Sequence, residues 1–179
     1  TEPRTVYGIT KLAGEQLVRA ALERHLIVRV AYLFGPGGSR AKRGTNIVTW
    51  LLDAGRSSAA AGAPVPLVSD QTFSPTYAPD AAETVVRLVE GGATGTVHVT
   101  NQEPCTPLEL GQAVFAAAGL TPPVKPISLA DLPAGTHRPR YTVLAHDGLR
   151  RAGLPSPRPW PDAVRDYLST LVQPAPSRD

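Results

Sequence analysis

The chain has 179 residues, 42% apolar and 18% charged, which is enough apolar mass for one globular domain with a sizeable core. Eighteen basic against fifteen acidic residues leave a net charge of +3, too weak for a nucleic-acid partner without a clustered patch, although it suits an anionic small molecule. The single cysteine, Cys105, excludes an intrachain disulfide, and no apolar run approaches the roughly 18 residues that span a bilayer, so a cytoplasmic protein with no membrane partner is expected.

The first fifteen residues carry Glu2, Arg4, Lys11 and Glu15 and do not read as a targeting segment. Ile9, Leu12, Ala13, Leu17, Val18, Ala21 and Leu22 recur with helical spacing and predict an amphipathic helix from Val6 to about His25. It runs into Leu26 to Phe34, a nearly continuous apolar run rich in β-branched and aromatic residues, expected to be a strand buried on both faces of a parallel α/β sheet. Gly35-Pro36-Gly37-Gly38 ends that strand, and Arg40, Lys42 and Arg43 read as a solvated loop. These glycines are no dinucleotide fingerprint, because G-x-G-x-x-G fails at Arg40.

A helix is expected from Asn46 to about Ala54, then a small-residue linker from Ser57 to Gly62 and a short strand over Val65 to Val68, whose Pro66 suits an edge. Asp70 to Tyr77 reads as a polar loop. The following helix has Pro79 in its first turn and Gly91-Gly92 beyond its end, with Ala82, Val85, Val86, Leu88 and Val89 expected to face inward. Gly95 to Thr100 alternates like a strand, and Thr106-Pro107-Leu108-Glu109 has the residues of a capping box opening a helix to about Ala118. Beyond it, Val124 to Ile127 is a candidate strand, His146 to Ala152 a short helix and Pro161 to Val172 a final one. One unit over residues 1–172 with a frayed tail at 173–179 is expected.

Tyr7 and Lys11 stand four residues apart, which places a phenol and an ammonium on one helical face. A phenol is a poor proton donor at neutral pH unless a neighbouring cation favours its ionised form, so such a pair suits proton transfer to a carbonyl oxygen. Alone, Y-x-x-x-K more often marks a solvated helix face. His25, His98, His137 and His146 lack ligand spacing with one another or with Cys105, so no metal site is expected, and the absence of G-x-S-x-G argues against a serine hydrolase.

The stretch Y-G-x-[ST]-K-x-x-G-E, from Tyr7 to Glu15, resembles the signature of the extended short-chain dehydrogenase/reductases. Val68-Ser69-Asp70-Gln71-Thr72-Phe73-Ser74-Pro75-Thr76 is similar to the V-x-D-Q-x-x-x-P-T segment of the dTDP-4-dehydrorhamnose reductase family, and Arg138-Pro139-Arg140-Tyr141-Thr142-Val143-Leu144, preceded by His137, resembles a stretch near the end of those reductases. The resemblance implies the C-terminal part of a Rossmann-like parallel sheet with a small α/β substrate-binding lobe. It also implies NADPH-dependent (or NADH-dependent) reduction of a dTDP-linked 4-dehydro-6-deoxy sugar to dTDP-L-rhamnose.

In that reading Tyr7 is the general acid and Lys11 assists it and holds the nicotinamide ribose, while Ala31 and Tyr32 sit beside the nicotinamide and the sugar. Family members often carry Trp where Tyr32 stands. Asn46, Gln71, Pro75, Thr76 and Arg138 would wall the nucleotide sugar. Asn46 would serve equally as a helix cap, Gln71 and Thr76 as loop-ordering hydrogen bonders, and Arg138 in a surface ion pair. The glycine-rich dinucleotide turn and the family's catalytic Ser or Thr would precede Thr1, so the implied partner is an N-terminal dinucleotide-binding half. Two other readings stay open: a non-catalytic module like the regulatory subunit of methionine adenosyltransferase, and an NAD-dependent sugar-nucleotide epimerase or dehydratase. The residues leave open a magnesium requirement and a homodimer.

Overall fold

The computed structural model describes residues 3, 5–38, 44–133 and 138–172. The basic stretch at Arg40, Lys42 and Arg43, His137 and the tail at 173–179 therefore lie outside the described residues. Helices α1 (Val6–Ala21), α2 (Ile47–Ala61), α3 (Ala78–Glu90), α4 (Pro107–Ala117), α5 (Asp147–Arg151) and α6 (Trp160–Val172) alternate with short strands. The strands are β1 (Leu26–Arg29), β2 (Leu33–Phe34), β3 (Val65–Val68), β4 (Thr72–Phe73), β5 (Thr76–Tyr77), β6 (Gly95–His98), β7 (Val124–Ile127) and β8 (Tyr141–Thr142). They form four ladders, β1 with β6, β2 with β5, β3 with β7 and β4 with β8, and every one is parallel. This is the α/β class expected from helices alternating with apolar strands.

The Thr5 hydroxyl accepts from the Gly8 amide at 3.1 Å and opens α1. The helix stops at Ala21, short of His25, because Leu22 turns extended (φ −129°) and the His25 ring bonds back to the Leu22 carbonyl. No residue of α1 is buried, and Val6, Ile9, Leu17 and Leu22 stand in solvent, so the apolar stripe read from the sequence has no cover among the described residues. The expected single strand from Leu26 to Phe34 is broken, since Tyr32 takes a left-handed φ of 45° between β1 and β2. β1 is only half-buried rather than enclosed on both faces, because β6 pairs with one of its edges and no described strand with the other.

α2 is longer than predicted and absorbs most of the expected linker. Ser58 is buried with its hydroxyl donating to the Ala63 carbonyl, the alanines that follow favour helix, and Gly62 at φ 70° closes it. The Asp70 to Tyr77 loop contains β4 and β5. On α3 the buried residues are Ala81, Thr84 and Leu88; of the positions expected to face inward, Leu88 is buried and Val85 half-buried, whereas Ala82, Val86 and Val89 face solvent. Thr84 is tolerated inside because its hydroxyl donates to the Asp80 carbonyl. Thr106 and Glu109 cap α4 reciprocally, as the sequence predicts.

The main core joins α2, α4 and α6 to β2, β3 and β5, with Leu51, Leu67, Leu110, Val114, Tyr77 and Val164 among its buried members. Two glycines set its closeness. A Cβ on Gly55 would lie 2.7 Å from Phe115 and one on Gly111 2.4 Å from Leu67, so α2 and β3 approach α4 nearer than alanine would allow. A smaller cluster of Ala81, Leu88, Val97, Val99 and Leu149 seals α3 and α5 onto β6.

Candidate functional site

The break between β1 and β2 is held from several sides. The Thr76 hydroxyl donates to the Ala31 carbonyl and the Thr76 amide to the Tyr32 carbonyl at 3.3 Å. The Tyr32 ring lies on Phe73 with centroids 4.2 Å apart and planes 33° apart, and its hydroxyl accepts from Gln71 Nε2 at 3.3 Å. Gln71 is itself fixed by a second donation to the Pro139 carbonyl at 3.0 Å. A non-glycine residue at positive φ costs about 1–3 kcal/mol and persists only where its surroundings over-determine it. Here they turn a phenol out of the strand and hold it 38% exposed.

Tyr7 and Lys11 share one face of α1, with Lys11 Nζ 5.4 Å from the Tyr7 ring centroid, and Tyr7 is 73% exposed. Glu15, one turn further along, accepts from Arg29 Nε and Nη2 at 2.7 Å each and from Arg19 at 3.0 Å. The hydrogen bonds from Arg29 hold the Glu15 carboxyl below the usual carboxylate range. Arg29 ends β1 two residues before Ala31, so this forked contact ties the Tyr7 and Lys11 helix to the strand that leads into the Tyr32 turn.

Tyr7 and Tyr32 open onto a cleft of about 1100 Å³, lined also by Asn46, Trp50, Pro66, Gln71, Phe73 and Arg138. Among the described residues Arg138 is the only charged one in its lining, and its guanidinium suits an anionic ligand. Ala31 stands behind the Tyr32 turn rather than in the wall. Pro75 and Thr76 are buried beneath the cleft and do not line it; the Thr76 hydroxyl is spent on Ala31, and the Pro75 carbonyl accepts from the Asn101 amide at 3.2 Å. Their place is the loop-ordering one.

Asn46 reaches the cleft, but its amide is fully committed. Oδ1 accepts from the Val48 and Thr49 amides, and Nδ2 donates to the Gly35 carbonyl at 3.1 Å and the Tyr167 hydroxyl at 2.8 Å. Two donations and two acceptances exhaust the group, so it caps α2 rather than contacting a ligand. Asp70 is likewise structural. Its carboxylate takes the Ser128 hydroxyl and the Leu129 amide at 2.7 Å each, which holds it below its ordinary range and fastens β3 to the segment after β7.

Sequence reasoning missed Trp50, which lines the cleft 48% exposed, and Phe73, the floor under Tyr32. Trp50 could have been found as the one large aromatic in the first turns of α2, four residues after the Asn46 cap and thus on its face. The cleft can take an anionic ligand with flat or apolar parts. Tyr7 and Lys11 add a phenol and an ammonium on the helix beside it.

The model of the RmlD substrate binding domain matches residues 1–173. The chain is 34% identical to a dTDP-4-dehydrorhamnose reductase of Mycolicibacterium smegmatis over 174 residues, covering 96% of this chain and 50% of that one. A crystal structure of a Clostridium acetobutylicum dTDP-4-dehydrorhamnose reductase superposes with a TM-score of 0.87 at 28% identity, over 97% of this chain and 58% of the other. The Bacillus anthracis enzyme in complex with NADP gives 0.84 at 28% identity, over 94% and 57%. The chain thus spans about half the length of the relatives it matches.

Proposed function

Because the chain belongs to the RmlD substrate binding domain family, we propose that it is the nucleotide-sugar-binding part of a cytoplasmic NADPH-dependent reductase acting on a dTDP-linked 4-keto-6-deoxy sugar, in the manner of dTDP-4-dehydrorhamnose reductase. The observation that carries this reading is the pairing of Tyr7 with Lys11 on α1, with Tyr7 lining a cleft whose one charged residue among those described is Arg138. NADPH, when bound, supplies the hydride to the keto carbon.

The chain's own residues supply the rest. Tyr7 gives its phenolic proton to the carbonyl oxygen as the alcohol forms, and Lys11 stabilises the phenolate left behind and orients the nicotinamide ribose. Arg138 neutralises the diphosphate, and Tyr32 packs against the sugar from its fixed position on Phe73. Turnover requires a dinucleotide-binding half, which the proposal assigns to a separate segment or partner.

The test has two stages. Calorimetry of the chain with dTDP-rhamnose should show binding without NADPH. With a dinucleotide-binding half supplied as a fusion, Tyr7→Phe should lower kcat by about 10²–10⁴-fold while leaving sugar affinity unchanged. Full turnover in that variant would remove Tyr7 from its role.

A further inference from the structure

α1 meets the rest of the described chain along a narrow line. Its half-buried positions are Gly8, Leu12 and Glu15, spaced four and three residues apart on one face, and no residue of the helix is fully buried. Gly8 has no side chain to bring, and Leu12 can make only non-directional contacts. Glu15 is different: its side chain is 15% exposed, it takes the fork from Arg29 at 2.7 Å and 2.7 Å, and it accepts from Arg19 at 3.0 Å. Arg19 donates in turn to the Thr96 hydroxyl at 2.9 Å. One carboxylate therefore joins α1 to β1 and, through Arg19, to β6.

Tyr7, Lys11 and Glu15 follow one another at four-residue intervals, so this junction ends the stripe that carries the phenol, ~12 Å along the axis from Tyr7. A fork of two parallel N–H···O bonds fixes an angle as well as a distance. At the ~6 Å radius of a helix with its side chains, a turn of ~10° about the axis moves a side chain by ~1 Å. A misplacement of that size costs a reaction about 10²-fold. Arg29 also stands two residues before Ala31, so the strand that grips α1 is the one that leads into the Tyr32 turn.

We propose that Glu15 and Arg29 are positioning residues for proton transfer: their fork sets the rotation of α1, and with it the aim of the Tyr7 phenol into the cleft. Neither residue is among those that line the cleft, so both act through Tyr7 rather than on a ligand. The proposal rests on the reductase reading and deepens it, because it names what holds the proton donor in register with the sugar side of the site.

The test has one arm with turnover and one without. In the fusion with a dinucleotide-binding half, Glu15→Gln and Arg29→Met should each lower kcat about 10- to 100-fold while KM for the sugar stays within about threefold. The double variant should be no slower than the slower single, since both remove one contact, and Arg29→Lys, which keeps the charge but not the fork, should fall between parent and Arg29→Met. In the chain alone, without cofactor, spin labels at the exposed positions Ala13→Cys on α1 and Ser57→Cys on α2 report the distance between helix and lobe; the buried Cys105 stays unlabelled. The distance distribution should broaden in Glu15→Gln and in Arg29→Met, with dTDP-rhamnose affinity within about threefold of the parent and a native circular dichroism spectrum. Unchanged kcat in both single variants, an unchanged distance distribution, or sugar affinity that falls as far as kcat would overturn the positioning role and leave the reductase reading intact. A parent fusion that binds dTDP-rhamnose but reduces no dTDP-linked 4-keto sugar would overturn both.

Discussion

Replacing Asn46 by serine separates the two things its amide does. Serine is as good an N-cap as asparagine, so the acceptance of the Val48 and Thr49 amides survives in kind. What is lost is Nδ2 and its donations to the Gly35 carbonyl and the Tyr167 hydroxyl, both at sites with little solvent: Asn46 is 8% and Tyr167 3% exposed. An acceptor left unpaired in such surroundings costs about 1–3 kcal/mol, and the Tyr167 hydroxyl can partly relieve its loss by rotating, so Asn46→Ser should destabilise by about 2–4 kcal/mol. For a chain of this length that is a fall in Tm of roughly 5–15 °C. Asn46→Ala should lose about 1 kcal/mol more, the worth of the cap itself.

Urea unfolding followed by circular dichroism measures all three proteins. A serine variant within about 0.5 kcal/mol of the parent would refute the assignment of the Nδ2 bonds as the residue's main task. Because the amide has no capacity left for a ligand, dTDP affinity of folded Asn46→Ser, measured well below its Tm, should stay within about threefold of the parent. A tenfold loss there would return Asn46 to the substrate wall.

Two further outcomes follow from the titrating groups. Glu15 is held below its unfolded value near ~4.3 by the Arg29 guanidinium, so the clamp is complete above that pH and is lost as pH falls through the folded value; hydrogen exchange of the α1 amides, corrected for intrinsic rate, should rise on going from pH 6 to pH 3.5 in the parent and much less in Glu15→Gln, and equal rises would refute the clamp. Burial pushes the Cys105 thiol up to about 12, so a disulfide reagent at pH 8 should modify it only in urea, and rapid labelling of the folded chain would contradict its enclosure.

The sequence exposes those parts of this fold that depend on local chemistry. The capping box at Thr106 and Glu109, the proline-led start of α3 and the extent of β3 and β7 are all visible in it, because each is decided by neighbours along the chain. The broken strand at Tyr32 is not, since the positive φ is imposed by Thr76, Phe73 and Gln71, all some forty residues away. The inward face of α3 was legible at Leu88 but not at Thr84, a core position that a count of apolar side chains passes over in favour of the exposed Val86 and Val89. At the site, motif position led to Tyr7, Lys11, Gln71 and Arg138, which the cleft or the helix beside it brings together. The same motif could not tell the surface of the D-Q-x-x-x-P-T loop from its foundations, and Pro75 and Thr76 belong to the latter.

All four parallel ladders join segments made at different times. β1 waits for β6, which leaves the ribosome about 65 residues later, roughly 3 to 13 s at ordinary rates of synthesis. During that interval the Leu26 to Arg29 backbone is an unpaired edge beside a helix with an open apolar stripe, a combination prone to pairing with the wrong chain. The ion pair between Glu15 and Arg29 needs only a fourteen-residue loop and can close at once, long before the sheet exists to receive it.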